Sequence, residues 1–372
     1  MHFERTLRTG IITEPTAAHL NFYLRMIAAC NGLGPIAYAD ATGASFAQAC
    51  LELPDMEVYD SPRRMLDEFR PDFVIVLLEA VHGPIWIDAA LRANCHVLSE
   101  KHPASDIGKY MPLVAEAEAR KRHLVLAFTN RSHPAVQKAC SLLASGNMGP
   151  LYAADLIIIA DQNRLHDPNY QHSWRADRSR AGGGILMALG IHHIDLLLWL
   201  TGASVTNVFA ITGNVGGAPV DIEDAAIACL RLSNGATATL HAGFYLDESY
   251  QSQLTLWMSN GWLKLNFIEE TQLTWYSTQS AGIQTWTADS GVAGEEAALF
   301  FQEIIDSIRF GGEPVMTPGY TLHVLDTVFA IYTSARDGRS VLPGFGNSSM
   351  LRTSERICAG RAKNEHGTSG LR

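Results

Sequence analysis

Strand-like and helix-like patterns alternate over residues 10–128 of this 372-residue chain. The clearest strand is residues 72–78, an apolar run of the kind that is buried on both faces of a parallel sheet. Helical patterns separate it from its neighbours, and this alternation favours a doubly wound parallel sheet. Ligands bind such sheets at the carboxyl ends of the strands. The alternation therefore predicts a Rossmann-like, dinucleotide-binding domain over residues 1–128.

The pattern changes at about residue 130. Strand candidates follow one another between residues 205 and 267 without intervening helices, and Asn234-Gly235 is a strong hairpin signal. Such strands form a largely antiparallel sheet that is open on one face. We therefore expect a second domain, of the α+β class, over residues 129–345. Several tryptophans lie near the exposed face of that sheet, where we expect subunits to pack as a homo-dimer or homo-tetramer: Trp257, Trp262, Trp275 and Trp286.

Composition and charge limit the partners. The formal net charge of −10 disfavours nucleic acid and anionic membranes. No apolar run approaches the roughly 20 residues needed to cross a bilayer, and nothing at the amino terminus resembles a signal peptide. The six cysteines are scattered without a C-x-x-C pair, which is typical of reduced thiols in a cytoplasmic protein. We expect a small-molecule substrate and a polar, mobile tail over residues 346–372.

Residues 174–202 combine a glycine-rich turn with an apolar helix. The three glycines at 182–184 end any regular element and let the backbone approach another surface closely. In the helix that follows, His192 and Asp195 interrupt the apolar run and are three residues apart, so their side chains share a face. Polar side chains on so apolar a helix either find hydrogen-bond partners in the core or line a cavity. This stretch alone leaves both interpretations open.

A second motif, Ser99-Glu100-Lys101-His102, directly follows a strand candidate. Together with G-G-G-x-L-x-x-x-G-x-H-x-x-D, it resembles the Gfo/Idh/MocA family of nicotinamide-dependent sugar and polyol oxidoreductases. In that family the first motif reads E-K-P and the second contains D-x-G-x-H. The resemblance implies a dehydrogenase in which Lys101 and His192 assist proton transfer from a secondary alcohol. His102 replaces the family's proline, and Ala188 replaces its aspartate.

The resemblance also implies roles around the substrate. A protonated Lys101 lowers the pKa of the substrate hydroxyl, and a neutral His192 accepts its proton. Asp195 binds substrate hydroxyls, and Arg131 occupies a substrate-side position at the domain junction. Because Ala188 removes the aspartate, either His192 acts without it or another residue replaces it: Asp161, His166, His172 or Tyr250. The predicted substrate contacts are thus Asp195, Arg131, Trp174, Tyr250 and Asp161.

The cofactor side departs further from the family. A dinucleotide-binding domain has G-x-G-x-x-G after its first strand, but Thr13, Glu14 and Pro15 fill that turn here. Glu14 places negative charge where a diphosphate would bind. Asp40 favours NAD over NADP if it binds the ribose, although an Asp after a strand is also an ordinary turn residue. The chain either binds no dinucleotide or binds NAD with altered contacts, for which the candidates are Thr13, Asp40, His82, Glu100 and Lys101.

A rival interpretation keeps the fold and loses the hydride step. Carboxylates and imidazoles at the strand ends are suitable ligands for a divalent metal ion, with Glu14, Glu79 and His102 as the ligands that the family lacks. A metal ion there would suit a lyase, a decarboxylase or a hydrolase. Further candidates for the same site are His19, His82 and Glu100. A third interpretation, a non-catalytic sugar sensor, is disfavoured because both Lys101 and His192 are retained.

Overall fold

Strands and helices alternate through the first part of the chain in the computed structural model, which describes residues 6–15, 17–270, 272–288 and 295–344. They run in the order β1 (Leu7–Thr13), α1 (Leu20–Ala29), β2 (Leu33–Asp40), α2 (Phe46–Glu52), β3 (Glu57–Tyr59), α3 (Pro62–Arg64), β4 (Phe73–Leu77), α4 (Gly83–Arg92), β5 (His96–Ser99), α5 (Ile107–Arg120), β6 (Leu124–Leu126) and α6 (Pro134–Ala144). A π-helical turn, Met65–Phe69, extends α3, and a 3-10 turn covers Thr129–Ser132.

Strands predominate after α6. The order is β7 (Leu151–Asp161), α7 (Asn163–His166), α8 (Pro168–Gln171), α9 (Arg178–Ala181), α10 (Ile191–Thr201), β8 (Val205–Gly213), β9 (Ala225–Leu232), β10 (Thr237–Leu246), β11 (Gln251–Met258), β12 (Gly261–Asn266), β13 (Leu273–Ser277), β14 (Gln284–Trp286), α11 (Glu295–Arg309) and α12 (Pro318–Asp337). A 3-10 turn, Trp174–Ala176, precedes α9, and a π-helical turn, Leu186–Gly190, leads directly into α10.

The chain forms two compact units. The first lies within Met1–Thr129, Ser179–Gly182 and Val292–Leu322, and the second within Asn130–Arg178, Gly183–Gly291 and His323–Arg372. The division after Thr129 lies beside the predicted one after residue 128. A single division misses the two later segments that return to the first unit. The predicted tail, residues 346–372, lies outside the described residues.

The first unit is built on a sheet whose described strands are all parallel, in the order β3-β2-β1-β4-β5-β6. Every residue of β4 is buried, as an apolar run in the middle of a parallel sheet should be. Thr13 pairs with both Asp40 and Leu77, so the carboxyl ends of β1, β2 and β4 are level. The predicted doubly wound fold is confirmed. Its strand order reverses between β1 and β4, and such a reversal point is where these sheets bind ligands.

Helix α11 belongs to the first unit, although the sequence placed it in the second domain. The ring of Phe301 packs edge-to-face against Tyr23 of α1, with centroids 5.5 Å apart. The Asn31 N–H, just after α1, donates a hydrogen bond to Gln302 Oε1 at 2.8 Å. Because an amphipathic pattern shows which face of a helix is apolar but not what covers it, the sequence could not reveal this return.

The second unit is built on a mixed sheet, whose described strands have the order β14-β13-β12-β11-β7-β10-β9-β8. β7 and β10 run parallel, and the other neighbouring strands are antiparallel. Residues of β9 alternate strictly between buried and less buried, as expected for a sheet with one covered face. α10 packs against β7. The predicted open, largely antiparallel sheet is confirmed, and β13 and β14 are additions to it.

Two expectations from composition need correction. Cys30, Cys50, Cys95 and Cys229 are free thiols, but Cys140 is disulfide-bonded. One helical stretch, Arg178–Thr201, has 24 residues and contains an 18-residue window apolar enough to cross a membrane. Of its apolar window, 83% is buried inside the protein, as in the core helix of a folded domain.

Candidate active site

Two acidic residues and a histidine meet where the strand order of the first unit reverses. Glu14 follows β1 directly, and Glu79 and His82 lie between β4 and α4. One carboxylate oxygen of Glu14 accepts a hydrogen bond from the Glu79 backbone N–H at 2.5 Å, and the other lies 2.8 Å from His82 Nδ1. Glu14 therefore joins the loops that leave β1 and β4 on either side of the reversal point.

Arg180 neutralises the second carboxylate of this cluster. Its Nε donates to Glu79 Oε2 at 3.0 Å and its Nη2 to Glu79 Oε1 at 2.6 Å, and the Glu79 side chain is buried. Arg180 belongs to a short segment of the first unit that ends at Gly182. Gly182 has a φ of +83°, and a Cβ at this position would lie only 2.8 Å from the Ser105 carbonyl oxygen. Gly182 thus lets the chain turn directly after Arg180, whose guanidinium binds Glu79.

The predicted metal ligands meet only in part. Ligand atoms of Glu14, Glu79 and His82 lie within 4.8 Å of one another, and His102 is not part of this group. The guanidinium of Arg180 already lies on the Glu79 oxygens, where it would repel a divalent cation. The cluster therefore fits an ion-pair network better than the metal site that the sequence offered as an alternative.

Lys101 follows β5 and lies beside a buried carboxylate. Glu100 accepts a short hydrogen bond from the Tyr23 hydroxyl, and its Oε1 lies 3.4 Å from His19 Nδ1 and 3.9 Å from Lys101 Nζ. Burial and the Glu100 charge raise the pKa of Tyr23 well above its usual value, so Tyr23 remains a donor to Glu100. Glu100, held by Tyr23, thus places a negative charge beside the Lys101 ammonium. The Lys101 side chain is only 12% exposed.

Two neighbours of these residues are also buried. His102, which replaces the family's proline, is 7% exposed, and the Lys101–His102 peptide bond is cis. Thr13 ends β1 with 3% exposure, and its hydroxyl lies 3.5 Å from the Glu14 carbonyl oxygen. The helix after this turn, α1, has His19 as its N-cap residue, in the left-handed conformation.

The Asp40 carboxylate stabilises the loop that directly follows β2. Its carboxylate accepts hydrogen bonds from the backbone N–H and the hydroxyl of both Thr42 and Ser45, at 2.6 to 3.0 Å, and the residue is fully buried. Burial alone would raise the pKa of Asp40, but the hydrogen bonds from Ser45 and Thr42 lower it. Asp40 therefore acts as a turn residue in this structure, and its contact with a ribose stays a prediction.

His192 is the second residue of α10 in the second unit, and the glycines before it explain how the helix starts. A Cβ at Gly183 would lie 1.9 Å from the Tyr332 hydroxyl, and one at Gly184 would lie 2.0 Å from the Glu223 carbonyl oxygen. The buried Glu223 carboxylate accepts hydrogen bonds from Gly184 N–H at 2.7 Å, Leu186 N–H at 3.1 Å and the Tyr332 hydroxyl at 2.8 Å. The glycines are thus required for close approach, and Glu223 caps the segment that carries His192.

Two predicted substrate contacts bind each other. Arg131 Nε donates to Asp195 Oδ2 at 2.9 Å and Arg131 Nη2 makes a second, short bond to Oδ1, with the side chains 5% and 1% exposed. The guanidinium also lies 5.4 Å from the Trp199 ring centroid. Breaking a buried pair of this kind costs about 3–5 kcal/mol, because one charge is left uncompensated. Arg131 and Asp195 therefore fix α10 in place.

The remaining predicted substrate contacts are dispersed over the second unit. Trp174 is 5% exposed in the 3-10 turn before α9. Asp161 accepts hydrogen bonds from the backbone N–H groups of Asn163 and Glu248, at 2.8 and 3.2 Å, and so organises the turn after β7. The Tyr250 hydroxyl accepts a short hydrogen bond from Arg164. His166 and His172, the other candidates for the missing acid, are exposed.

Sequence reasoning assigned no role to four residues that shape these sites: Tyr23, Arg180, His193 and Glu223. His193 is 2% exposed, its Nε2 lies 3.3 Å from Ser252 Oγ, and burial lowers its pKa to about 4. An acidic pair at positions 223 and 224, directly before an apolar strand, was a usable signal for Glu223. The partners of Tyr23 and Arg180 are 77 and 101 residues away, and no local pattern indicates them.

Comparison with known families follows this division of the chain. Residues 23–128 match the family model described as "Oxidoreductase family, NAD-binding Rossmann fold", and residues 136–264 match the "GFO/IDH/MocA C-terminal domain". The chain belongs to the Gfo/Idh/MocA family. Residues 23–128 correspond to the NAD-binding Rossmann fold of this family, and the predicted family is confirmed.

Relatives in the Gfo/Idh/MocA family act on sugars, by their names. The chain is 30% identical over 206 residues to levoglucosan dehydrogenase of Pseudarthrobacter phenanthrenivorans, covering 48% of this chain and 51% of the relative. It is 27% identical over 161 residues to 1,5-anhydro-D-fructose reductase of Ensifer adhaerens, covering 42% and 45%. The chain thus spans about half the length of these two relatives. A solved levoglucosan dehydrogenase, in complex with NADH and L-sorbose, has the same fold: the TM-score is 0.82 at 18% identity, over 92% of this chain and 100% of that one.

The reversal point between β1 and β4 in this Gfo/Idh/MocA protein is suited to an anionic group such as a diphosphate. The donors there, the Glu79 N–H and His82, already bind a carboxylate, that of Glu14. His82 is the N-cap residue of α4, where the helix dipole also favours negative charge. The residues that would hold the phosphates of NAD are therefore Glu79, through its backbone, and His82.

Proposed function

We propose that this protein is an NAD-dependent dehydrogenase that oxidises a secondary alcohol of a sugar, a polyol or a related small polar molecule. The observation that carries the proposal is the position of Lys101. Lys101 lies at the carboxyl end of β5, in the unit with the NAD-binding fold. The Glu100 carboxylate lies 3.9 Å from the Lys101 ammonium and holds it beside the strand ends. The names of the relatives support the substrate class.

Bound NAD supplies the hydride acceptor, and the chain's own residues handle the proton. The Lys101 ammonium stabilises the alkoxide that develops when the substrate hydroxyl loses its proton. His192 accepts that proton as a neutral imidazole. Position 188 is alanine and the Asp195 carboxylate is held by Arg131, so we propose that His192 works without a carboxylate from either position. Arg131 and Asp195 then act by positioning α10.

Substitution of Lys101 tests this function. Lys101→Met should lower turnover by about a hundredfold or more, because the developing negative charge loses its cation. His192→Ala should have a similar effect, and the double variant should be little worse, because the two residues act as a unit. Turnover is measured as formation of reduced nicotinamide with NAD and a panel of sugars and polyols at saturating concentration.

The exposed Lys109 on α5 supplies the matched control, and Lys109→Met should leave turnover unchanged. Near-normal turnover of Lys101→Met would remove Lys101 from the mechanism. Failure of the unmodified protein to reduce NAD with any member of the panel would count against the dehydrogenase assignment and favour a non-redox reaction on the same fold.

We also propose that copies of the chain associate through the open face of the second sheet, as a homo-dimer or homo-tetramer. That face exposes Ile211 of β8 and its cross-strand neighbour Ile227 of β9, and Trp257 of β11 lies on the same face. Apolar side chains adjacent on a sheet face are typical of contacts between subunits. Sedimentation velocity measures the subunit number directly. We propose a cytoplasmic location as well, which the four free thiols favour and the disulfide at Cys140 does not.

A further inference from the structure

The Glu14 carboxylate occupies the point at which a ligand is expected. It spans the reversal point between β1 and β4, with one oxygen on the Glu79 N–H and the other on His82 Nδ1. Its side chain is 19% exposed, so solvent and ligands reach it. In a doubly wound sheet this crevice is the ligand-binding site.

The two groups that bind Glu14 are suited to any compact anion. A backbone N–H and an imidazole N–H bind carboxylate and phosphate oxygens alike, and charge on the acceptor strengthens both bonds. Their present acceptor belongs to the protein itself. A nucleotide diphosphate that uses these donors must therefore displace the Glu14 carboxylate.

Arg180 removes the other acid of the cluster from this competition. Its guanidinium binds both oxygens of Glu79, so that carboxylate is neutralised and held in place. Glu14 has no arginine or lysine partner among the described residues, and only His82 faces its second oxygen. The negative charge that meets an incoming diphosphate is thus that of Glu14.

We propose that Glu14 is an internal anion that competes with the dinucleotide diphosphate for the Glu79 N–H and His82. The competition sets the affinity for nucleotide, and removal of the Glu14 charge should raise it. This inference rests on the proposed use of NAD. It goes further in naming the residue that weakens binding and the donors for which residue and ligand compete.

Calorimetric titration tests the competition without any redox step. The probes are NAD, ADP-ribose, which lacks the nicotinamide, and inorganic pyrophosphate, and the variants are Glu14→Gln and Glu14→Ala. Glu14→Gln keeps an acceptor for the Glu79 N–H and a donor for His82, so the fold should be retained while the charge is lost. Because a charged acceptor binds about twice as strongly as a neutral one, we expect ADP-ribose and NAD to bind at least about fivefold more tightly to both variants.

Glu52→Gln, at the exposed carboxyl end of α2, changes the net charge equally and should leave the affinity unchanged. Equal affinity of the unmodified protein and Glu14→Gln for NAD and ADP-ribose would overturn the inference and leave the proposed function intact. Weaker binding by Glu14→Gln would overturn it too, because Glu14 would then be a nucleotide contact. Absence of binding of every probe to every variant would overturn both this inference and the use of NAD.

Discussion

Glu14 in the first unit and Glu223 in the second make the same kind of hydrogen bond but differ in burial. Each is a carboxylate that accepts at least one hydrogen bond from a backbone N–H in the segment that leads into a helix. Glu223 is 3% exposed and has three donors, whereas the Glu14 side chain is 19% exposed and has one backbone N–H and one imidazole. Burial and the number of donors thus distinguish a carboxylate that belongs to the fold from one that a ligand can displace.

Gly184→Ala should have the largest effect, because it disrupts the contact that holds Glu223. The added Cβ would lie 2.0 Å from the Glu223 carbonyl oxygen, a backbone atom just before β9. We expect the free energy of unfolding to fall by at least about 3 kcal/mol, or the second unit not to fold. Gly213→Ala is the control, because its Cβ would have its nearest neighbour 3.8 Å away. Equal urea midpoints for the two variants would contradict this account of the glycines.

The sequence predicted the strands and helices better than the distant residues that pack against them. The apolar run of β4, the hairpin signal at Asn234-Gly235 and the motif around Lys101 depend on neighbours in the chain, and they indicated the two sheets and the family. The returns of Arg180 and α11 to the first unit depend on long-range packing, which leaves no local pattern. The role of Asp40 was ambiguous for a different reason, because the same residue type suits a ribose contact and an Asx turn.

Acid should destabilise the second unit through two buried histidines. Burial lowers the pKa of His193 and of His323 from 6.5 to about 4. Between these values the unfolded chain binds a proton that the folded protein does not, so their stabilisation is complete above pH 6.5 and is lost as the pH falls towards 4. Each residue accounts for up to about 3 kcal/mol over this window. Glu223 acts in the opposite direction, because burial raises the pKa of its carboxyl group and favours the folded state at low pH.

Denaturant unfolding at pH 7 and at pH 4.5 measures this dependence. His323 Nε2 accepts a hydrogen bond from the Val205 N–H at 3.2 Å, and the amide oxygen of His323→Gln can accept the same bond. The variant should therefore lose less stability on acidification than the unmodified protein. An unchanged pH dependence would show that His323 is not the group that takes up the proton.

The smallest expected effect compares the two carboxylates directly. In Glu223→Gln, either orientation of the amide turns its NH₂ group towards a backbone N–H, that of Gly184 or that of Leu186. A donor facing a donor in a buried site should lower the free energy of unfolding by about 1–3 kcal/mol. Glu14→Gln keeps both of its contacts in a partly exposed site, so its change should stay within about 0.5 kcal/mol. Chemical unfolding of the two variants measures both values, and equal losses would mean that Glu14 is as much a part of the fold as Glu223, and hence not a displaceable anion.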